Sequence, residues 1–260
     1  MPLFADLLFR GFNNAGYNVL RRPMGSLLVF DLLGRDDVLE RIGPVPNVMT
    51  LATPLPPWEG PAPAANFAGQ LSSQMHISAG LGFLRQWLRA IGGTESIGDL
   101  APAFPSARFL EFVLDAPEVI RTDPFALARM MTAAAVIPGL PAARYVGDRN
   151  TDLFVVTDVV QMNSIGVRAS DVGSAQVSID VPALAQAVGD SVSVKVSMTG
   201  ASGPSSWIIV EGRYQVTAAF RCARVRRSLN RNLSINVDPS NSSGRDTGVL
   251  FAPGTLVVVN

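Results

Sequence analysis

Three features of the sequence predict one α+β domain followed by a tail. Apolar residues recur at helical spacing between Ile77 and Ile91, alternation with a period of two takes over from Asp152, and no linker interrupts the chain before residue 238. At 260 residues and 48% hydrophobic composition, the chain has ample apolar side chains for a sizeable core.

The elements follow in order. Residues 3–12 read as an amphipathic helix, because Asp6 and Arg10 lie inside the apolar stretch and no basic n-region precedes it; a secretory signal is not expected. Two strands are predicted next, "YNVLRRP" and "SLLVFDLL". Residues 44–63 hold seven of the nineteen prolines and must be extended or looped. In "HISAGLGFLRQWLRAIGG" the residues Ile77, Leu81, Leu84, Leu88 and Ile91 form one helical stripe, and Gly92 and Gly93 supply a left-handed exit. A second helix starts at "TDPFALARMM", with Thr122 or Asp123 as its cap and Pro124 in the first turn.

From Asp152 the pattern changes to strands. "LFVVTDVV" opens this part. "AQVSIDV" puts Ala175, Val177, Ile179 and Val181 on one face, "SVSVKVSMT" alternates Val with Ser, Lys and Thr, and "YQVTAAFRCARV" continues the pattern. A basic cluster follows in Arg221, Arg224, Arg226, Arg227 and Arg231, which suits phosphate groups or a solvated strand end.

Composition excludes more than it selects. The formal net charge is zero, 21 basic against 21 acidic residues, so the molecule as a whole does not attract nucleic acid, and no aromatic side chains interleave the arginine cluster to stack bases. The lone Cys222 cannot form an intramolecular disulfide and suits a cytoplasmic setting. One histidine and one cysteine do not make a transition-metal cage, and no cofactor is implied. His76 has no nucleophile motif beside it, G-x-S-x-G is absent, and the glycines of "GLGFLR" lie inside a helix pattern with no strand before them. No enzyme is expected. Residues 60–84 form the longest uncharged run, 25 residues, but their Pro, Gly, Ser, Gln and Asn disqualify them as a spanning helix.

The tail carries the strongest question. Residues 249–260 are twelve uncharged residues, mostly apolar, after a Ser-, Asn- and Gly-rich loop at 238–248. Chain ends are usually polar and frayed unless tied down, so this one is expected to dock. Burying Leu250, Phe251, Leu256, Val257, Val258 and Val259 contributes roughly 1.5 to 3 kcal/mol each. Ordering the segment costs about 1 to 2 kcal/mol per residue. The two nearly offset, and a tether with an effective concentration on the order of mM keeps such a peptide in place.

The order of the segments resembles that of the bacterial gasdermins over nearly the whole chain: "GYNVLRRP", "ISAGLGFLRQWLRAIGG", "FLEFVLDAPEVIRTDPFALARMM", "LFVVTDVVQMNSIGV" and "IIVEGRYQVTAAFRCARV". The resemblance implies a twisted antiparallel sheet with surrounding helices, held inactive by a short C-terminal peptide and converted on activation into a membrane β-barrel. It divides the chain into a pore-forming domain (1–237), a protease-accessible linker (238–248) and an inhibitory peptide (249–260). The implied partners are an activating protease, inner-membrane lipids after cleavage, and further copies of the chain in the pore, from a cytoplasmic monomer before it; the implied role is killing of the infected cell in antiphage defence. About 50–112 and 157–217 are the segments that would refold into membrane hairpins.

A barrel strand needs about 9 to 11 alternating residues, and residues 191–199 supply nine. Arg245, Asp246 and Leu250 are candidate cleavage residues for trypsin-like, caspase-like and apolar-specific proteases. Arg221, Arg224, Arg226 and Arg227 are candidates for lipid headgroups. The family commonly carries a lipidated cysteine within the first few residues; Met1, Pro2, Leu3 and Phe4 stand there in this chain, so lipidation is not implied. Cys222 falls in a strand pattern and reads as a buried thiol. The competing reading is a β-rich binding or scaffold module whose tail donates a strand to a neighbour.

Overall fold

Residues 152–170 and 207–227 are rich in Val, Ile, Phe and Ala and contain no proline, so nothing in either run breaks a strand. In the computed structural model they form two strands of 19 and 21 residues, paired antiparallel over most of their length. The structure describes residues 12, 15–36, 38–65, 67–68, 74–147, 151–172, 175–197, 207–227, 233–235, 257 and 259.

In chain order the elements are β1 (Asn18–Met24), β2 (Asp31–Arg35), β3 (Leu39–Pro44), α1 (Val45–Val48), β4 (Met49–Thr50), β5 (Trp58–Pro63), β6 (Met75–His76), α2 (Ile77–Gly92), β7 (Phe109–Leu114), β8 (Glu118–Thr122), α3 (Pro124–Thr132), β9 (Ala135–Val136), α4 (Ala142–Gly147), β10 (Asp152–Ser170), β11 (Gln176–Val177), α5 (Val181–Val188), β12 (Val192–Ser197), β13 (Trp207–Arg227) and β14 (Leu233–Ile235). The chain forms a single α+β domain. Twelve of these strands make one antiparallel sheet; β4 and β9 pair separately.

The long pair β10–β13 is the spine, and shorter strands line both its outer edges. Along β10, the strands β2, β8 and β7 pair in turn with Asp152–Val155, Asp158–Gln161 and Ile165–Ser170. Along β13 the partners are β12, β1 and β14. Register shifts after Val156, Val160 and Met162 place bulges in the spine, which bend and twist it.

Both faces of the spine are covered. The largest core packs α2 and α5 against Val160, Met162, Ile165 and Val210. A second packs α1, α3 and α4 against Leu153 and Val155, and a third gathers around Phe154, Val156 and Phe220. Burial on two faces explains why β10 is buried almost continuously rather than alternately.

The helix expected from the 77–91 stripe is α2. Leu84, Leu88 and Ile91 are buried, Ile77 and Leu81 pack at the margin of the same core, and Gly93 ends the helix in the left-handed conformation at φ 63°. Asp123, rather than Thr122, caps α3, its carboxylate accepting the Phe125 N–H at 2.9 Å.

Four expectations need correction. Residues 44–63, expected to be extended or looped, include the short helix α1 (Val45–Val48), which accommodates Pro46 in its first turn. The strand predicted over "SLLVFDLL" begins only at Asp31: Phe30 takes φ 70°, and the Asp31 carboxylate accepts the Leu28 N–H at 2.8 Å, so the preceding residues form a turn. The strand predicted over "AQVSIDV" is only two residues long, because Asp180 accepts the Ala183 N–H at 2.9 Å and Pro182 sits in the first turn, starting α5 where strand was expected. Ser191 lies in a 3-10 turn, so β12 begins one residue later than the alternation suggested. Of the expected first helix only Phe12, which is helical and fully buried, lies within the described residues.

Candidate functional site

The run β1–β13–β10–β2–β3 curls so that its outer strands, β1 and β3, approach each other across a trough. Each strand contributes to the trough from one face only, as strand parity requires. Leu20 comes from β1, Phe220 and Cys222 from β13, Phe154 and Val156 from β10, Leu33 from β2 and Leu39 from β3. The residues next to them in sequence, such as Leu32, Leu153, Val155 and Ala223, belong to the opposite core.

The C-terminal tail crosses this trough. Val257 bridges Leu20 in parallel orientation and its N–H donates to the Val19 carbonyl at 2.8 Å; Val259 bridges Leu39 in the same sense. Val257 and Val259 therefore touch the two edge strands of the five-stranded run, one each. Val257 is 2% exposed and belongs to the trough's core, with Val259 packed against it. Leu250, Phe251, Leu256 and Val258, together with Arg245 and Asp246, lie outside the described residues.

Charges ring the mouth. Asp152, at the start of β10, pairs with Arg35 of β2 on one side and Arg224 of β13 on the other, and the Arg35 guanidinium lies 5.3 Å from the Phe154 ring centre. Asp31 accepts two bonds from Arg41, at 2.8 and 3.0 Å. Inside, burial pushes the Cys222 thiol pKa strongly up, so this cysteine is a small apolar filler of the trough.

The arginine cluster is split by the strand it sits on. Arg221 lies over the Tyr17 ring at 4.4 Å and donates to the Ala15 carbonyl. Arg224 is held by Asp152, and Arg226 is exposed opposite Ser234. Arg227 pairs through its backbone with Leu233. Arg221 and Arg224 thus face internal partners in this conformation. His76 stands before α2, exposed, with Nδ1 3.2 Å from the Ser78 hydroxyl. Among the described residues no cluster of His, Cys, Asp and Glu could hold a metal ion, and no helix is long and apolar enough to cross a membrane, which says nothing of a β-barrel.

Sequence reasoning reached the tail through its composition but did not identify its seat. The signal was faint: Leu20, Leu33, Leu39, Phe154 and Phe220 are ordinary apolar residues on five separate strands.

The model of the Bacterial Gasdermin Family matches residues 20–245. The chain belongs to the bacterial gasdermin family. Curated relatives are the gasdermins of Vitiosangium sp., 26% identical over 231 residues that cover 86% of this chain and 83% of the relative, and of Lysobacter enzymogenes, 26% identical over 229 residues that cover 86% and 82%. The solved structure of a bacterial gasdermin from Bradyrhizobium tropiciagri shares the fold, with a TM-score of 0.61 at 18% identity over 86% of this chain and 88% of that one. The gasdermins are pore-forming proteins and not an enzyme family.

Proposed function

We propose that this gasdermin is a latent pore-former whose residues 249–260 hold it inactive until a protease cuts within 238–248. The observation that carries the reading is the seat of Val257 and Val259 between the two edge strands of the trough. A peptide that touches the two edge strands from outside the strand order can leave without unravelling the rest, since the other two cores contain none of its described residues. Family membership supports pore formation by homo-oligomers in a lipid bilayer. In the cell the bilayer is the inner membrane and the outcome is death of the infected host, a defence against phage.

The segments about 50–112 and 157–217 become the membrane hairpins in this reading. They contain β5 to β7 with α2, and the distal part of the spine with α5 and β12. Arg221 and Arg224 exchange Tyr17 and Asp152 for headgroup phosphates as the sheet rearranges.

The test is dye release from liposomes, comparing uncut protein with protein carrying a specific protease site at Arg245 and cut there. Release only after cutting is expected. Confirmed cutting with no release from vesicles of several lipid compositions refutes the reading and favours a scaffold module whose tail is a structural strand.

A further inference from the structure

We propose that Tyr17, Asp158 and Arg221 form a second inhibitory contact, independent of the tail, which fastens the N-terminal segment to both parts of the chain that rearrange. Its purpose rests on the pore-forming reading above; its geometry stands apart from it. Asp158 follows the first bulge of β10 and lies in register with Arg221 of β13 on one side and Arg121 of β8 on the other. Its Oδ1 accepts the Tyr17 hydroxyl at 3.4 Å and its Oδ2 accepts the Thr157 hydroxyl at 2.8 Å. Arg221 lies over the face of the same tyrosine ring and donates to the Ala15 carbonyl. A carboxylate and a guanidinium from adjacent central strands therefore grip one ring by its hydroxyl and by its face.

That ring is also the keystone of an aromatic trio. Tyr17 meets Phe67 edge-on with ring centres 5.4 Å apart, and Phe67 meets Phe12 at 4.5 Å. Just before Phe67, the Ala64 N–H donates to the Pro117 carbonyl at 2.8 Å. Phe67 lies inside 50–112, while Asp158 stands at the start of 157–217. Neither segment can leave its place without breaking a contact of Tyr17.

Packing alone does not call for this arrangement. Tyr17 is 3% exposed, and a phenylalanine would fill the same space without carrying a hydroxyl out of water. The hydroxyl is useful where the ring must be held to one carboxylate. Burial, and then Asp158, push the Tyr17 pKa up to about 12, so the donor proton stays in place at physiological pH.

The experiment uses the full chain with the protease site at Arg245, as parent, Tyr17→Phe, Asp158→Asn and the double variant. Tyr145→Phe serves as control, since it removes a hydroxyl that contacts Glu40 at the far end of the sheet. Hydrogen exchange is read on uncut protein, and the half-time of dye release from phosphatidylglycerol-containing vesicles after cutting. Tyr17→Phe should shorten the half-time roughly tenfold, the effect of losing one hydrogen bond to a charged group. It should also speed exchange in residues 12–20 and 157–162 together. Asp158→Asn should add less than about twofold to Tyr17→Phe, because the two act through one contact. The proposal is overturned if Tyr17→Phe matches the control in half-time, or if faster exchange stays confined to residues 12–20. Should the cut parent release no dye, the pore reading falls, and exchange alone decides the contact: joint acceleration supports it and local acceleration overturns it.

Discussion

Replacing Val257 with alanine tests whether the tail is a separately opening part. Val257 is 2% exposed, and the change removes two carbons from the trough's core. Transfer accounts for about 0.8 kcal/mol per carbon, and the space left between side chains raises the loss to about 2 kcal/mol. The substitution leaves the N–H that bonds the Val19 carbonyl, so backbone pairing is intact and only burial is weakened. At 1.4 kcal/mol per factor of ten, undocked tail should rise about thirtyfold. Hydrogen exchange of the Val257 amide in uncut protein reads this ratio directly, and dye release by uncut protein should rise with it. Val172→Ala is the control, at a position 64% exposed in the folded protein. If in the parent the Val257 amide is protected as strongly as core amides of β10 such as that of Val160, the tail opens only with global unfolding and the reasoning fails.

Two further outcomes follow from the geometry. A Cβ at Gly212 would lie 2.3 Å from the Ile91 carbonyl oxygen, so Gly212→Ala must push the end of α2 off β13 and should cost about 1 to 3 kcal/mol of stability in chemical denaturation. Burial, and then Asp158, push the Tyr17 pKa up to about 12 in the folded protein, against about 10 for an ordinary tyrosine. The folded state thus holds this proton more tightly, and the associated stability is complete below pH 10 and lost as pH rises to about 12. Tyr145 and Cys222, also raised by burial, share the alkaline loss. Tyr17→Phe should therefore flatten the decline of stability between pH 10 and 12 without abolishing it.

Local signals were legible where one residue decides the backbone. The 3-and-4 stripe of α2, the left-handed exit at Gly93 and the Asp123 cap with Pro124 all act within a few residues, so they could be read from the sequence. Asp180 followed by Pro182 is the same signal, but the alternation of Ala175, Val177, Ile179 and Val181 masked it. Ile179 and Val181 pack against the largest core from the start of α5, which is why their apolar character was real and its period misleading. The turn at Phe30 had no glycine to announce it. Beyond local range the sequence was silent: the pairing of Leu20 with Val257 spans most of the chain, and alternation fixes which face a side chain takes without fixing its neighbour.

The three cores differ in how they are closed. Two are sealed by helices joined to the sheet by continuous chain, while the third is sealed by two tail residues among those described. Losing the tail would uncover Leu20, Leu39 and Phe154 and leave the edges of β1 and β3 without a partner. Exposed apolar side chains and an unpaired strand edge are each costly in water and each invite another chain or a lipid surface. On the latent pore reading, cutting the linker need not push the molecule toward the membrane. Removing the tail creates a surface that water does not satisfy, and the free energy of covering it, with a neighbouring copy or with lipid, is available to break the contacts of Tyr17 and straighten the spine.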